Sequence, residues 1–212
     1  MYLLRTEFSV RPGGAGELEA SMTRFGDMRK GQPGYQGQTL LRSYGDPGKY
    51  VGTSRWENVE AAWAFTKSDV LANYAKSLTS GLSSVVHQEG YESVFEVDAE
   101  GAVAGQSGCE VLVDWVLDQR PGVVAAFERT RRAFFELRKL HTKGFASNRL
   151  RRSAGNPFKY LALNIYVTVE DARAAGSAPE VQAFQAAHPY TLYASAPPSI
   201  EAYAVIHRMP GA

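Results

Sequence analysis

The chain contains a single cysteine, Cys109, so it has no internal disulfide, and the thiol reads as a small apolar side chain opening a strand. No apolar run reaches bilayer length, and Met1-Tyr2-Leu3-Leu4-Arg5-Thr6-Glu7 lacks a secretory pattern, so a cytoplasmic protein without a membrane partner is expected. Glycine-rich phosphate loops, the G-x-S-x-G elbow and HExxH are all missing, which removes the usual signals of nucleotide-dependent enzymes, serine hydrolases and zinc proteases. His87, His141 and His207 have no carboxylate or cysteine at metal-ligand spacing, so no metal is expected. Net charge is also scarce, at +1. It conceals an asymmetry: residues through 105 carry 10 basic and 13 acidic side chains, the remainder 13 and 9. The basic excess lies in Arg129, Arg131, Arg132, Arg138 and Lys139 and in Arg149, Arg151 and Arg152. Without a more basic domain or a reading element, these suit a solvated helix face and strand ends, and no nucleic-acid partner is expected.

What the chain does have is a copy of itself. Gly34, Leu40, Arg42, Ser43, Pro47, Lys49, Tyr50, Val59, Glu60, Ala62 and Ala64 recur as Gly144, Leu150, Arg152, Ser153, Pro157, Lys159, Tyr160, Val169, Glu170, Ala172 and Ala174, all at one offset of 110. Arg11-Pro12-Gly13 recurs as Arg120-Pro121-Gly122 at an offset of 109. The chain is therefore two copies of one module, expected over 1–98 and 109–212, with the alanine- and glycine-rich 99–108 as linker.

Within the first copy, alternation at Tyr2, Leu4, Phe8 and Val10 predicts a strand that Arg11-Pro12-Gly13-Gly14 ends. Leu18, Met22, Phe25 and Met28 predict one apolar helix stripe. Tyr35 to Tyr44 and Lys49 to Trp56 read as a hairpin turned at Gly45-Asp46-Pro47-Gly48. A helical stretch from Val59 to Tyr74 breaks near Lys67-Ser68, where Ser68 caps a new turn; a Ser/Gly-rich loop and a last strand, Tyr91 to Val97, follow. The order β-α-β-β-α-β is ferredoxin-like, and the second copy repeats it. Leu41, Tyr50, Trp56, Leu161, Leu163, Ile165 and Val167 are shared between both sheet faces, so the face without helices also needs a cover. The expected fold class is α+β: two ferredoxin-like repeats packed sheet to sheet as an intramolecular dimeric α+β barrel. Arg42 and Arg152 at a strand end suggest structural ion pairs, with Glu60 and Glu170 as partners.

The run Gly34-Tyr35…Leu40-Leu41-Arg42-Ser43…Trp56-Glu57-Asn58-Val59-Glu60-Ala61-Ala62…Ser68 resembles the antibiotic biosynthesis monooxygenase (ABM) family, in which a G-[YF]-x-G strand precedes a W-x-[SN]-x-E-A-[FW] helix start. The resemblance runs through both halves. It implies a dimeric barrel, here within one chain, and an activity among metal- and flavin-free oxygenases, haem-degrading enzymes or proteins without known chemistry. Haem-degrading members pair a first-strand Asn, a second-helix Trp and an axial His ten residues after that Trp. These align with Thr6, Phe65 and Ala75 in the first half, and with Trp115, Ala178 and His188 in the second, where Phe184-Gln185-Ala186-Ala187-His188 resembles the family's F-x-A-A-H helix end. One element of three survives, so haem binding or degradation ranks as the lesser alternative.

Cofactor-independent oxygenation of a quinol- or anthrone-like aromatic is the leading expectation. A base removes a proton, and the electron-rich anion itself reduces dioxygen, so the site needs a flat apolar pocket, a group titrating near neutrality and an oxyanion donor. Trp56, Trp63, Phe65 and Tyr74 are candidates to line a first pocket; His188, as base, with Tyr160, Asn164 and Tyr166 form a second. Each has a structural reading beside the functional one: Trp56 and Tyr166 share a repeat position and suit core packing, and His188 before Pro189 suits a helix cap. A barrel that only binds a small aromatic or hydrophobic ligand is the other alternative, and a homodimer of such chains through their helices remains open.

Overall fold

The computed structural model describes residues 1–78, 82, 87–101 and 107–210; most of the Ser/Gly-rich loop and residues 102–106 of the expected linker lie outside the described residues. The elements run β1 (Tyr2–Ser9), α1 (Ala15–Arg29), β2 (Tyr35–Ser43), β3 (Lys49–Trp56), α2 (Val59–Thr66), α3 (Asp69–Leu78), β4 (His87–Asp98), then β5 (Cys109–Val116), α4 (Val123–His141), β6 (Phe145–Ser153), β7 (Lys159–Tyr166), α5 (Val169–Ala174), α6 (Pro179–Ala187) and β8 (Ser199–Pro210). The fold is α+β, and hydrogen-bonded neighbours follow the order β1-β3-β2-β8-β5-β7-β6-β4 around a closed antiparallel barrel. Two compact units divide the chain: Met1–Glu92 with Val205–Ala212, and Ser93–Ala204.

In the first unit α1 buries Leu18, Met22, Phe25 and Arg29, while Met28, expected on that stripe, is 47% exposed. Helical geometry explains the correction. At 100° per residue, the fourth residue after Phe25 returns closer to the apolar face than the third. These side chains pack on Leu4, Phe8, Leu40, Tyr50 and Trp56. In the second unit Phe127, Phe134 and Phe135 of α4 pack likewise on Leu150, Tyr160 and Ala162. The other sheet face is equally dry, with Leu41, Val51, Leu161, Leu163 and Ile165 all buried. Val167, expected among them, is 45% exposed because β7 has already ended.

The repeated residues are the ones that shape turns and clasps. Gly34 and Gly144 adopt φ of 74° and 66°, and a Cβ there would sit 2.7 Å from Ala61 Cβ and 2.2 Å from Asp171 Cγ. Only glycine fits both demands. Ser43 Oγ accepts from the Gly45 and Asp46 amides, and Ser153 Oγ from Gly155, holding the two hairpin turns. The Tyr50 hydroxyl donates to Glu19 at 2.7 Å with Arg42 3.5 Å from the same carboxylate; Tyr160, Glu128 and Arg152 repeat this at 2.6 and 3.9 Å. The two arginines do form ion pairs, but with the α1 and α4 carboxylates instead of Glu60 and Glu170. Those two open α2 and α5, at the opposite end of the hairpin strands from the turn.

The first strands depart from the offset read in the sequence. Tyr2 faces Trp56 and Phe8 faces Tyr50 across β1 and β3, whereas Cys109 faces Tyr166 and Trp115 faces Tyr160 across β5 and β7. Tyr2 thus corresponds to Cys109 at an offset of 107, the counterpart of Thr6 is Val113 and not Trp115, and Asp118-Gln119 is an insertion. The insertion has a use. Asp118 accepts from the Ser195 amide at 2.9 Å and hydroxyl at 2.6 Å, meets Arg120 at 3.1 Å, and its own amide donates to the Tyr193 carbonyl. It ties down the segment between α6 and β8.

Arg151, 1% exposed, donates to Ser93 and is paired with Glu96 at 2.5 Å, bracing β6 against β4 inside the second unit. Removing one partner strands a buried charge, so Glu96→Gln is expected to lower stability by about 3 kcal/mol in urea titrations, and a change under about 1 kcal/mol would contradict the brace. The Ser195 bonds hold the Asp118 carboxyl below the usual carboxylate range. Its contribution is therefore present above the ordinary aspartate pKa and disappears as pH falls through the depressed value. Asp118→Asn should flatten that part of the acid limb in thermal melts across pH 2–5 (a range of roughly two units about the ordinary value); an unchanged limb would refute the assignment.

Candidate functional site

In the first unit, three of the expected lining residues meet between sheet and helices. Phe25 stacks on Tyr74 with centroids 3.5 Å apart, Phe65 lies 5.8 Å from Phe25 and 5.0 Å from Trp56, and Tyr35 meets Trp56 at 5.4 Å. The cluster also holds a charge that hydropathy patterning passed over. Arg29 lies 3.9 Å from the Phe25 centroid and 5.0 Å from that of Phe65 and donates to Gln38 Oε1 at 3.1 Å. Burial pushes its guanidinium down to about 10, partly offset by Tyr35 and Tyr74, so it stays charged at neutral pH. Gln38 Nε2 donates to the Met22 carbonyl, Trp56 Nε1 to Ser54 Oγ, and the Tyr74 hydroxyl to Met22 sulfur. Most polar atoms in this core have partners.

Trp63 stands apart. It is 56% exposed and borders a cleft of about 70 Å³ with Tyr2, Leu4, Ala62, Thr66, Gln88 and Gly90. That volume takes a few waters, against the several hundred Å³ of an ordinary ligand pocket. The four first-half candidates therefore fall in two places and do not line one pocket.

The second unit repeats the arrangement with different ends. Arg138, the counterpart of Arg29, lies 5.2 Å from the Phe134 centroid and 5.5 Å from that of Tyr166, and donates to Asn164 Oδ1 at 2.9 Å. Asn164 Nδ2 donates to the Val111 carbonyl. Asn148 occupies the position of Gln38 and lies directly across from Asn164 in the β6–β7 ladder, but one methylene shorter it leaves both amide atoms buried and unbonded. Tyr166 stands where the first unit has Trp56, and its hydroxyl is likewise buried without a partner. Burial, countered in part by Arg138, pushes this phenol up to about 12, so at neutral pH it is a hydrogen-bond donor and not a base. Tyr160 is different: buried, its hydroxyl bonded to Glu128, it belongs to the clasp.

His188 caps α6, with its backbone amide and Nδ1 both on the Phe184 carbonyl and its ring 4.3 Å from that of Phe184. A carbonyl only accepts, so Nδ1 carries the hydrogen and neutral His188 presents the lone pair of Nε2. It does not touch Tyr160, Asn164 or Tyr166. Ring contacts nevertheless connect it to them: Phe184 lies 5.3 Å from Phe134, and Phe134 packs under Arg138. Sequence patterning missed Arg138 and Asn148, although Arg131 and Arg138 stand seven residues apart on the face that carries Phe127 and Phe134. Among the described residues, no three His, Cys, Asp or Glu side chains gather as a metal would require.

Residues 1–77 match the family model for antibiotic biosynthesis monooxygenase, so the first module is an ABM domain, whose fold the second repeats. No curated protein matches the chain in sequence. Among solved structures, a Fusobacterium nucleatum protein described as a "putative monooxygenase" is similar at 11% identity and TM-score 0.79, over 99% of this chain and 94% of that one. An anthrone oxidase-like protein is similar at 13% identity and TM-score 0.71, over 98% and 92%. A regulator of staphylococcal pathogenesis follows at 9% identity and TM-score 0.60, over 96% and 98%. These likenesses establish a shared two-module fold.

The partnered and unpartnered tyrosines make a direct test of the local geometry. Tyr160→Phe loses a hydrogen bond and strips Glu128 of its donor, so it should destabilise by about 1–2 kcal/mol, whereas Tyr166→Phe should lie within about 0.5 kcal/mol of the parent or above it. Equal losses in chemical denaturation would show that the Tyr166 hydroxyl has a protein partner.

Proposed function

We propose that this chain is a cofactor-independent monooxygenase of the cytoplasm, acting on a small quinol- or anthrone-like aromatic in its second module. The observation that carries the reading is two buried groups without partners: the Tyr166 hydroxyl, on a ring beside Arg138, and the Asn148 amide, across the β6–β7 ladder from the Asn164 that Arg138 bonds. Each such group costs about 1–3 kcal/mol when left unsatisfied, an expense that a bound oxygen would relieve. The ABM domain assignment supports the reaction class.

In this reading His188 Nε2 takes the proton from the acidic C–H or O–H of the substrate, and its Nδ1–H, held by Phe184, keeps the tautomer correct. Tyr166, Asn148 and Arg138 hold the substrate oxygen as negative charge gathers on it. The anion passes one electron to dioxygen, the radical pair joins in a C–O bond, and the peroxide loses water to leave a carbonyl. One oxygen atom ends in product and one in water. A fused-ring substrate lying along Phe134 and Phe184 spans from Arg138 to His188. In the first module the packed Trp56, Phe65 and Tyr74 serve the core, which favours one working pocket per chain.

Oxygen consumption with anthrone and with naphthoquinol decides the matter. Uptake above the protein-free rate is expected, slowed about 10²–10⁴-fold by His188→Ala and about 10²-fold by Tyr166→Phe. Tight binding of both compounds without uptake would replace the enzyme by a ligand-binding barrel. A hemin complex whose ring opens under reductant and oxygen would replace it by haem chemistry.

A further inference from the structure

The second unit packs two guanidinium groups on one helix face, Arg131 buried and Arg138 half-buried, without a carboxylate on either. Arg131 is 8% exposed and lies 4.9 Å from the Trp115 centroid, 5.7 Å from Phe127 and 4.8 Å from Phe134. Arg138, two turns on, covers the same Phe134 ring at 5.2 Å. Both cations thus contact the Phe134 ring. The described salt bridges of this unit all involve other residues: Glu96 serves Arg149 and Arg151, Glu128 serves Arg152, Asp118 serves Arg120, and Glu180 lies 3.7 Å from His141. Around the pair stand the Trp115 indole N–H, the Asn148 amide and the Tyr166 hydroxyl, all buried and none bonded. Burial pushes Arg131 down to about 10, with Arg138 adding to the shift, and lowers Arg138 as well; a guanidinium stays charged at neutral pH.

Burying one unpaired charge is expensive, and rings return only a fraction of its lost hydration. Two like charges seven residues apart on a helix add repulsion. The Trp115 indole N–H, the Asn148 Nδ2 and the Tyr166 hydroxyl can each donate, and a carboxylate accepts from several donors at once while neutralising a cation. From this juxtaposition we propose that the second module binds a planar aromatic anion, its carboxylate or phenolate held by Arg131 and Arg138 and its ring laid against Phe134. The first module lacks this: Met22 stands where the second has Arg131, and Gln38 occupies the reach of its single Arg29. The proposal rests on the second module being the working one and adds the charge of its ligand.

Titration calorimetry with 2-naphthoate and its uncharged isostere 2-naphthamide tests it on the full chain. One naphthoate per chain is expected, bound at least about ten-fold more tightly than the amide and more weakly as salt rises. Arg138→Gln should remove most of that preference. Arg131→Met should remove it too while leaving the ligand-free protein as stable or more so, since it deletes an unpaired buried cation. A guanidinium that only braced the core would instead make this variant clearly less stable with naphthoate affinity unchanged. Equal affinity for acid and amide, no binding of either, or preference surviving in both variants would overturn the proposal. Turnover of neutral quinols combined with any of these would overturn it while leaving the oxygenase reading standing; naphthoate binding without turnover of any aromatic would do the reverse.

Discussion

A guanidinium pressed against aromatic rings with no carboxylate in reach is the constraint around which each module is arranged. Arg29 in α1 and Arg138 in α4 occupy corresponding places, and each donates a hydrogen bond to an amide oxygen on the sheet, Gln38 in one unit and Asn164 in the other. Such a charge stays buried only if rings approach its faces and an oxygen meets its edge. That requirement positions the helix over the sheet and places large aromatics at the strand positions beneath it. The duplicated Tyr–Glu–Arg clasp then fixes the helix at the hairpin turn.

The two copies solve the same problem to different degrees of completion. Gln38 spans from Arg29 to a helix carbonyl and leaves no gap, and Trp56 finds Ser54. The second copy shortens the amide to Asn148, exchanges the indole for the Tyr166 phenol and replaces Ser54 by Asn164. Each exchange is small, yet together they leave the Asn148 amide and the Tyr166 hydroxyl buried without hydrogen-bond partners, where the first copy has its Gln38 amide and Trp56 indole bonded. After duplication, one copy can carry the burden of stability while the other accumulates polar groups at modest cost.

The fold was legible because a repeat supplies two independent readings of every element, and both gave the same order of strands and helices. Three details escaped for physical reasons. Periodicity scored Arg29 as polar and so promoted Met28, although geometry favours the residue one place on. The insertion Asp118-Gln119 hid in a loop, and only strand pairing exposed the true correspondence of Tyr2 with Cys109. Glu60 recurs with Arg42 at the same offset in the motif, but Arg42 stands at the turn end of β2, where α1 brings Glu19 to 3.5 Å. The candidate site was legible in part. Trp56, Phe65 and Tyr74 gather because aromatics at core positions meet, while Trp63 turns outward. Asn164 and Tyr166 share a face through strand alternation, but the arginine that joins them comes from another element, which spacing within one strand does not reveal.

The division of the chain into units bears on how it is made. Ser93–Ala204 is continuous, whereas the other unit joins Met1–Glu92 to Val205–Ala212. A ribosome delivers the continuous unit whole before it delivers the segment that completes the first. The nascent N-terminal module must therefore wait, one strand short, while its neighbour already has every residue it needs. Closing so long a loop is slow. During that interval the unpaired edge of β2 is where premature association would begin.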